Sequence, residues 1–372
     1  MQDLLDYMPD QWPSLIPSLA LPKWRYDQIS DWIFRKEVTA WAEMKNLPRD
    51  LQKTLASSIS LNLPEPAVVM DSKDGTKKIV LRLKDGEMIE SVIIPRGDRA
   101  TLCISSQVGC GIGCRFCRTA EMGLVRNLTM GEIVGQVVLA NRILREHPVQ
   151  DFSSSKSLDR PVLKRINHIV FMGMGEPLAN LDHVTNSIRL LIAPGGFGMS
   201  PRRITLSTSG LPSKIVEIGE SGIPINIAVS LTAADDQTRE RLMPINRHYP
   251  IKSILDAVRQ LPLKKRQRVT FEYVLLSGVN DRPEDAKKLA RLLAPFKSKV
   301  NLIAFNPYEG SPFSRPSNDD VLLFQKILLE KTVATTIRQS RGDDILGACG
   351  QLAWEKKTEQ KETEWSPVVF LT

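Results

Sequence analysis

Residues 101–117 read TLCISSQVGCGIGCRFC, a β-branched run followed by three cysteines within eight residues. The run predicts a buried strand at 101–106, and the glycines after it predict a loop that carries the cysteines. Zinc usually takes four ligands, and none of the four histidines lies at a ligand spacing from another. The spacing C-x3-C-x2-C of Cys110, Cys114 and Cys117 instead favours a cubane iron–sulfur cluster with one iron left free of protein ligands. Zinc or a coincidental group of thiols is the alternative.

The composition is that of a globular protein. The 372 residues are 42% hydrophobic and 25% charged. No apolar run of about 18 residues and no basic, apolar leader is visible, so we expect a cytoplasmic protein without a membrane span. Five cysteines are too few for a disulfide scaffold in a chain this long and favour metal or redox chemistry. A net charge of +8 favours a polyanionic partner.

From residue 101 onward, short β-branched runs alternate with amphipathic helical patterns. This alternation predicts an α/β fold with a parallel sheet, and about six βα units predict a partial or full (β/α) barrel. In such a barrel the chemistry lies at the carboxyl ends of the strands. The predicted strands are at 101–106, 166–173, 203–210, 225–231, 269–276, 300–305 and 335–339, and the predicted helices are at 130–146, 181–192, 251–261, 283–296 and 318–330.

The patterns divide the chain into four parts. Residues 1–62 predict a helical accessory domain with helices at 24–35 and 47–56. A polar break at 147–165 predicts a surface loop within the barrel, and 355–364 predicts an exposed helix or a disordered segment. The remaining parts are a β-hairpin linker region at 63–100 (strands at 79–86 and 88–95, turn at Asp85-Gly86), the barrel at 101–349 and a carboxyl-terminal tail at 350–372.

A second glycine-rich motif, FMGMGEP at 171–177, ends the next predicted strand. Its glycines allow the backbone to approach a ligand, and its carbonyls and Glu176 can accept hydrogen bonds from an ammonium group. Alone, the motif would fit an ordinary turn between a strand and a helix equally well. Beside the cysteine loop it predicts a site for the amino group of S-adenosylmethionine (SAM), which chelates the free iron in the radical SAM superfamily.

Six segments, together with the strand that ends in AVSL at 228–231, resemble one family closely. The chain is similar to the RlmN/Cfr family of radical SAM RNA methyltransferases over nearly its whole length, and it most resembles the RlmN branch, which makes 2-methyladenosine in large-subunit rRNA and in some tRNAs. LPKWRYDQISDWIFRKEVTAWAEMKNLP at 21–48 is similar to the small amino-terminal domain of that family. The other segments are 99–129 around the cysteines, FMGMGEPLAN at 171–180, RRITLSTSG at 202–210, VNLIAFNPYEG at 300–310 and RGDDILGACGQLA at 341–353.

The resemblance implies a 4Fe-4S cluster on the three loop cysteines and roles for the other two thiols. Cys349 is methylated by a first SAM, and the 5′-deoxyadenosyl radical from a second SAM removes a hydrogen atom from that methyl group. The methylene radical adds to adenine, and Cys103 then releases the product through a transient disulfide. Glu90 matches the proton acceptor of the family. Without the family, Cys103 would be read as an inert buried thiol, Cys349 as equally core or loop, and Glu90 as an exposed side chain.

The resemblance also implies a set of SAM contacts. Two departures from the family stand out: Thr232 occupies a position where the family usually has histidine, and Leu124 one where an aromatic residue is common. The first puts a side-chain contact at that position in doubt but leaves a backbone contact possible. The implied SAM contacts are Gly175, Glu176, Ser207, Ser230, Leu231, Thr232 and Asn306.

The implied partners are rRNA and tRNA, with an external one-electron reductant of the flavodoxin or ferredoxin type and a monomeric enzyme. Residues 1–62 and the basic run Lys264–Arg268 are the candidate RNA-binding segments. Three alternatives stay open. They are a Cfr-type enzyme that methylates carbon 8 of adenosine, a radical SAM enzyme with a protein substrate, and a nucleic-acid-binding module with a structural cluster.

Overall fold

Seven adjacent parallel strands form the centre of the molecule. The computed structural model describes residues 1–152, 161–265, 267–353 and 369–371. Within them, the strand order of the main sheet is β12-β11-β10-β9-β8-β7-β4-β3-β2-β1-β13. The strands are β1 (Glu65–Asp71), β2 (Lys77–Arg82), β3 (Met88–Arg96), β4 (Arg99–Ile104), β5 (Gln107–Gly109), β6 (Leu124–Asn127), β7 (His168–Phe171), β8 (Ile204–Thr208), β9 (Asn226–Ser230), β10 (Val269–Leu275), β11 (Ser298–Ala304), β12 (Thr335–Arg338) and β13 (Val369–Leu371).

Helices connect the parallel strands, as the alternation in the sequence predicts. The fold class is confirmed as α/β, and β12 and β13 are the two edges of the sheet among the described residues, which makes the barrel partial rather than closed. The helices are α1 (Trp12–Leu15), α2 (Lys23–Phe34), α3 (Arg49–Ser58), α4 (Met130–Glu146), α5 (Leu181–Ile192), α6 (Pro212–Glu220), α7 (Asp236–Leu242), α8 (Ile251–Arg259), α9 (Pro283–Leu293) and α10 (Asn318–Glu330).

The predicted elements agree well with the observed ones. Every strand predicted after residue 100 is confirmed, and α4, α5 and α10 begin and end at the predicted residues. Helix α7 was not predicted, because seven residues are too few to establish a helical period, and neither was α6. Strand β1 was not predicted either.

The hairpin predicted before the barrel is present and extends the main sheet. Strands β2 and β3 pair antiparallel, and the turn between them contains Gly86 at a φ of 85°. Strand β3 then pairs antiparallel with β4, with Val92 opposite Cys103. Residues 77–96 therefore form part of the wall of the barrel.

The amino-terminal helices pack on one side of α4. Trp12 is fully buried, and its indole N–H donates to the carbonyl oxygens of Leu4 and Tyr7, each at 3.1 Å. Residues Met130, Val134 and Val138 of α4 belong to the same apolar cluster as this region. The opposite side of α4 packs against the sheet, which explains why 13 of its 17 residues are buried.

Two predictions fall partly or wholly outside the described residues. Of the predicted surface loop at 147–165, the part at 153–160 lies outside, and Val149 and Leu163 pair in an isolated antiparallel bridge. The predicted polar segment at 355–364 lies entirely outside the described residues. Among the helices that are described, none combines the length and the apolar character that a membrane crossing requires.

Helix α4 begins with a complete capping box. The hydroxyl of Thr129 accepts from the N–H of Glu132 at 3.2 Å, and the carboxylate of Glu132 accepts from the N–H of Thr129 at 2.9 Å. We expect Thr129→Ala to lower the free energy of unfolding by about 1 kcal/mol, because the N–H of Glu132 loses its acceptor. Urea denaturation measures the loss. Thr129→Ser keeps the hydroxyl and serves as the control; an equal loss in both variants would assign the effect to the methyl group instead.

Candidate active site

The predicted site motifs meet at the carboxyl ends of the parallel strands. They line an open cavity of about 920 Å³, here called the cysteine-loop cavity. The predicted site residues in its wall are Cys110, Cys114, Cys117, Gly175, Glu176, Ser207, Ser230, Asn306 and Cys349.

The loop with the three cysteines is held at both ends. It leaves β5 and returns as β6, and the two strands pair antiparallel. The N–H of Cys110 donates to the carbonyl oxygen of Gly123 at 2.7 Å, and the N–H of Arg115 donates to that of Leu242 at 2.9 Å. The loop is therefore fixed both by its own hairpin and by the end of α7.

The three thiols lie close enough to affect one another. Burial raises the pKa of Cys110 to about 12, and the proximity of Cys117 adds to the effect. Burial also raises the pKa of Cys114, with further contributions from Cys117 and Cys110. A bound metal would remove these protons, because cysteine binds metals as the thiolate.

The three thiols are a donor set that an iron–sulfur cluster uses. Within the residues that the structure describes, no three His, Cys, Asp or Glu side chains converge in a way that could hold one metal ion. A cubane attaches each cysteine to a different iron, so its thiols need not converge on one point. Thiolates are also the ligands that iron–sulfur clusters use. Cys110, Cys114 and Cys117 therefore fit a cubane.

The FMGMGEP loop is hydrogen-bonded to the end of β4. The hydroxyl of Ser105 accepts from the N–H of Met174 at 2.9 Å, and the carbonyl oxygen of Met174 accepts from the N–H of Ser106 at 2.8 Å. Gly175 has a φ of 100°, and a side-chain carbon there would lie 2.6 Å from the side chain of Gln107. Glycine is required at this position for both reasons.

Glu176, the last residue but one of this loop, has a buried side chain. Its two oxygens accept from the N–H of Ser209 at 2.6 Å and from that of Leu178 at 3.0 Å. Burial raises the pKa of the Glu176 carboxyl, and these backbone donors oppose the rise. The buried hydroxyl of Ser209, also in the cavity wall, makes no hydrogen bond within the described part of the chain. A polar ligand group would satisfy it.

A glutamate and an arginine that the sequence analysis missed also line the cavity. Glu272 on β10 is buried and accepts from the hydroxyl of Ser207 at 2.8 Å. Arg338, at the end of β12, lies 3.9 Å from the same carboxylate, and its guanidinium donates to the sulfur of Met172 at 3.2 Å. The available signal was a charged residue inside each of two apolar strand patterns, VTFEYVL and TTIR.

The three SAM contacts predicted at the end of β9 do not all line the cavity. Ser230 lines the cavity, whereas Leu231 and Thr232 are buried and are not in its wall. The N–H of Thr232 donates to the carbonyl oxygen of Glu272 at 3.4 Å, and its carbonyl oxygen accepts from the side chain of Asn280 at 2.6 Å. Both backbone groups of Thr232 therefore have partners within the protein.

Arg239, also missed by the sequence analysis, connects the ends of β8 and β9. It is fully buried, and burial lowers the pKa of its guanidinium to about 10. The guanidinium donates to the carbonyl oxygens of Leu231 at 3.1 Å and Ser230 at 3.3 Å, and also to that of Ser209. Arg239 thereby fixes the backbone on which Ser209 and Ser230 are carried.

A second cavity, of about 870 Å³, adjoins the first and is here called the arginine cavity. Arg96, Arg338 and Arg341 line it, together with Cys103. Cys349 lies in the wall of both cavities. The two thiols outside the cysteine loop are thus brought to one cavity, although 246 residues separate them in the chain.

The loop around Cys349 is bound on several sides. The side chain of Asn306 donates to the carbonyl oxygen of Cys349 at 3.1 Å. The N–H of Arg118 donates to the carbonyl oxygen of Gly350 at 2.8 Å, and the hydroxyl of Thr119 donates to that of Leu352 at 2.5 Å. These bonds hold Cys349 directly beside the cysteine loop.

Glu90 is buried, contrary to the default expectation of an exposed glutamate. Only 1% of its side chain is exposed, and it forms an ion pair with Lys78 at 2.9 Å. Among the described residues, Glu90 is not in the wall of either cavity. It lies two residues from Val92, the cross-strand partner of Cys103, and therefore on the same face of the sheet as Cys103.

Comparisons with known proteins agree with this arrangement. Residues 104–293 match the model of the radical SAM superfamily, and residues 2–61 match that of the ribosomal RNA large subunit methyltransferase N-terminal domain. The chain is 46% identical over 374 residues to the dual-specificity RNA methyltransferase RlmN of Campylobacter hominis, covering 97% of this chain and 99% of that one. The corresponding protein of Lawsonia intracellularis is 43% identical over 95% of this chain and 96% of its own length.

A solved structure shares the fold. The crystal structure of a radical SAM methyltransferase from Sphaerobacter thermophilus superposes with a TM-score of 0.86 at 39% sequence identity. The match covers 95% of this chain and 99% of that one, so the helical amino-terminal region and the barrel are both included.

Thr232 gives a test of the local energetics. It has a φ of 56°, and its buried hydroxyl makes no hydrogen bond within the described residues. We expect Thr232→Val to raise the free energy of unfolding of the ligand-free protein by about 1 kcal/mol, because it removes the unpaired hydroxyl and keeps the shape. Urea denaturation measures this gain. Thr232→Ser keeps the hydroxyl and should give none; destabilisation by valine would show that the hydroxyl has a partner.

Cys103 should react slowly with alkylating reagents. Burial is the main reason that its pKa is raised to about 12, with Cys349 adding to the rise and Arg338 opposing it. Because only the thiolate reacts, we expect the alkylation rate to rise about tenfold per pH unit from pH 8 to 10. Peptide mass spectrometry after iodoacetamide treatment measures the rate. In urea the alkylation rate of Cys103 should level off near pH 9. A similar plateau in the folded protein would contradict the raised pKa.

Proposed function

Because the chain belongs to the RlmN family of radical SAM RNA methyltransferases, we propose that it forms 2-methyladenosine in large-subunit rRNA and in tRNA. The observation that carries this proposal is the position of Cys349 in the wall of two adjoining cavities. One cavity is lined by the three cysteines of the loop, and the other by Cys103 and three arginines. A carrier of a methyl group needs access to both a donor and an acceptor.

The residues present fit the two cofactors that this function requires. Cys110, Cys114 and Cys117 would hold a 4Fe-4S cluster, and Glu176 with Ser209 and the backbone near Gly175 would hold the polar end of SAM. The remaining proposed SAM contacts are Ser207, Ser230 and Asn306, with Leu231 and Thr232 acting only by supporting the backbone. When bound, these groups supply a methyl group and, with one electron from an external flavodoxin or ferredoxin, a hydrogen-abstracting radical.

The protein's own side chains divide the remaining work. Cys349 carries the methyl group, and its loop is held toward the cysteine-loop cavity by Asn306. Glu90, on the same sheet face as Cys103 but in the wall of neither cavity, is the proposed acceptor of the proton from the adenine ring. Cys103 attacks the sulfur of Cys349, so the S–S bond forms and the bond from that sulfur to the methylene carbon breaks. The carbon keeps the electron pair and takes a proton from solvent, which gives the methyl group of the released base. Arg338 lies near both thiols and stabilises the thiolate of Cys103.

The arginine cavity is where we propose that the target adenosine enters. Arg96 and Arg338 supply positive charge for the phosphates beside the base, which must leave its stack to reach Cys349. Arg341 is ion-paired with Asp151 at 3.0 Å. Residues 1–62 contain seven Lys and Arg against eight Asp and Glu, so net charge does not explain RNA binding by this domain. Trp24 on α2 is 57% exposed and stacks with Arg25 at 4.1 Å, which suits contact with unpaired bases.

Anaerobic reconstitution with iron and sulfide, followed by SAM, dithionite and an rRNA fragment, tests the proposal. We expect 2-methyladenosine and 5′-deoxyadenosine in the nucleoside analysis by mass spectrometry. Cys349→Ala should yield no methylated base, because the methyl carrier is missing. Cys103→Ala should accumulate a covalent protein–RNA adduct, because the resolving thiol is missing.

The same experiment separates the alternatives. Formation of 8-methyladenosine would assign the chain to the Cfr-type reaction. Product formation by Cys349→Ala would indicate a radical SAM enzyme of another type. Zinc in place of iron in protein purified without oxygen, or an iron centre with four protein ligands, would overturn the whole scheme. The iron content of Cys349→Ala should equal that of the unaltered protein, and this controls for loss of the cluster.

A further inference from the structure

We propose that Lys78 is a positioning residue that holds the Glu90 carboxylate and the loop of Cys349 in one buried arrangement. The inference rests on the function proposed above. It assigns a positioning role to Lys78 on β2, which is in the wall of neither the cysteine-loop cavity nor the arginine cavity as the described residues form them.

The contacts of Lys78 carry the argument. Its ammonium group lies 2.9 Å from Oε1 of Glu90, and the two side chains are only 5% and 1% exposed. The same ammonium donates to the carbonyl oxygen of Leu346 at 3.2 Å. Leu346 is three residues before Cys349 and has a φ of 51°. One buried cation therefore contacts both the proposed proton acceptor and the loop of the methyl carrier.

The register of the sheet directs these groups to one side. Lys78 is opposite Val92 in the pairing of β2 with β3, and Val92 is opposite Cys103 in the pairing of β3 with β4. Side chains of directly opposed residues lie on the same face of an antiparallel pair. Lys78, Glu90 and Cys103 are therefore on one face of three adjacent strands.

One oxygen of Glu90 is left available. Oε1 is taken by Lys78, whereas Oε2 is buried and makes no hydrogen bond of normal geometry in the described part of the chain, although Arg118 and the N–H of Ala353 lie near the carboxylate. A buried acceptor without a donor costs about 1–3 kcal/mol, so the arrangement is costly for folding alone. It is suited to taking up a proton. After the adduct radical has given one electron to a one-electron acceptor, for which the oxidised iron–sulfur cluster of the proposed function would serve, the C–H bond at carbon 2 of adenine breaks, its electron pair stays on the ring, and the proton bonds to Oε2.

The charge of Lys78 favours the ionised form of the Glu90 carboxyl, which is the form that can accept a proton. Burial raises the pKa of the Glu90 carboxyl, and Lys78 opposes this rise most strongly, followed by Arg118 and the N–H of Ala353. A protonated carboxyl cannot accept the proton, so the pairing with Lys78 preserves the reactive form. A buried ion pair is often no more stable than an apolar pair of the same size, which argues that stability is not its main purpose.

The test replaces Lys78 with methionine, which has a similar length and no charge. With cluster-loaded Lys78→Met we expect Cys349 to be methylated and the protein–RNA adduct to form, while release of 2-methyladenosine slows by about tenfold or more. The adduct should accumulate on denaturing gels. Release should recover as the pH rises, because Glu90 without its cation ionises only at higher pH. Lys78→Arg, which restores the charge, should recover part of the rate.

The chain offers a matched control in Lys77. This neighbouring lysine is also buried and pairs with Asp71, but it lies on the opposite face of β2. Lys77→Met should leave adduct formation and product release unchanged. If Lys78→Met does not fold, Lys78→Met/Glu90→Gln removes both buried charges and should fold, and it should release product no faster than Glu90→Gln alone.

Two outcomes would overturn the inference. One is normal product release by Lys78→Met. The other is an equal slowing of Cys349 methylation, adduct formation and product release with no change in the pH profile, because that result would indicate a structural role only. In either case the unaltered protein would still form 2-methyladenosine. Failure of the unaltered protein to form it would instead defeat the proposed function, and this inference with it.

Discussion

The hydrogen bonds that fasten the Cys349 loop to the end of the cysteine loop are the constraint on which the site depends. The carbonyl oxygens of Gly350 and Leu352 accept from Arg118 and Thr119, the two residues that directly follow Cys117. Asn306 holds the carbonyl oxygen of Cys349 from the end of β11. Together with the hydrogen bond from Lys78 to Leu346 and the packing of Leu352 in the core, these bonds bring a residue near the end of the barrel beside a motif that lies more than 200 residues earlier.

The strength of this constraint suits its purpose. Each such bond stabilises the loop by about 1 kcal/mol, so three hold it firmly without making its release prohibitive. A carrier thiol must meet a methyl donor on one side and a second thiol on the other. Leu352 anchors the end of the loop in the main core, whereas Cys349 itself is only partly buried, and such a segment can open locally while the rest of the fold stays intact.

The sequence predicts the framework better than the charged network inside it. Strand and helix periods extend over local windows, and the cysteine spacing is local too, so both can be predicted without a structure. Glu272, Arg338 and Lys78 become partners of the site only through sheet register and chain closure over long separations. Burial of Glu90 was missed for a related reason. Alternation along a strand identifies a buried face only when the other face is exposed, and in β2 and β3 both faces are covered.

Helix α4 contacts both the amino-terminal domain and the site, and so fixes the position of one relative to the other. The side-chain amide of Gln136, on α4, bonds to both backbone groups of Ser105, the residue that directly follows β4. It accepts from the N–H of Ser105 at 2.8 Å and donates to the carbonyl oxygen of Ser105 at 2.9 Å. The other face of α4 packs against the amino-terminal helices through Val134 and Val138. Because one buried helix contacts both, an RNA bound to the amino-terminal domain would meet the arginine cavity at a fixed distance. Since that domain carries no net positive charge, its contribution to substrate choice would come from this geometry and from stacking, and the phosphate attraction would come from the barrel.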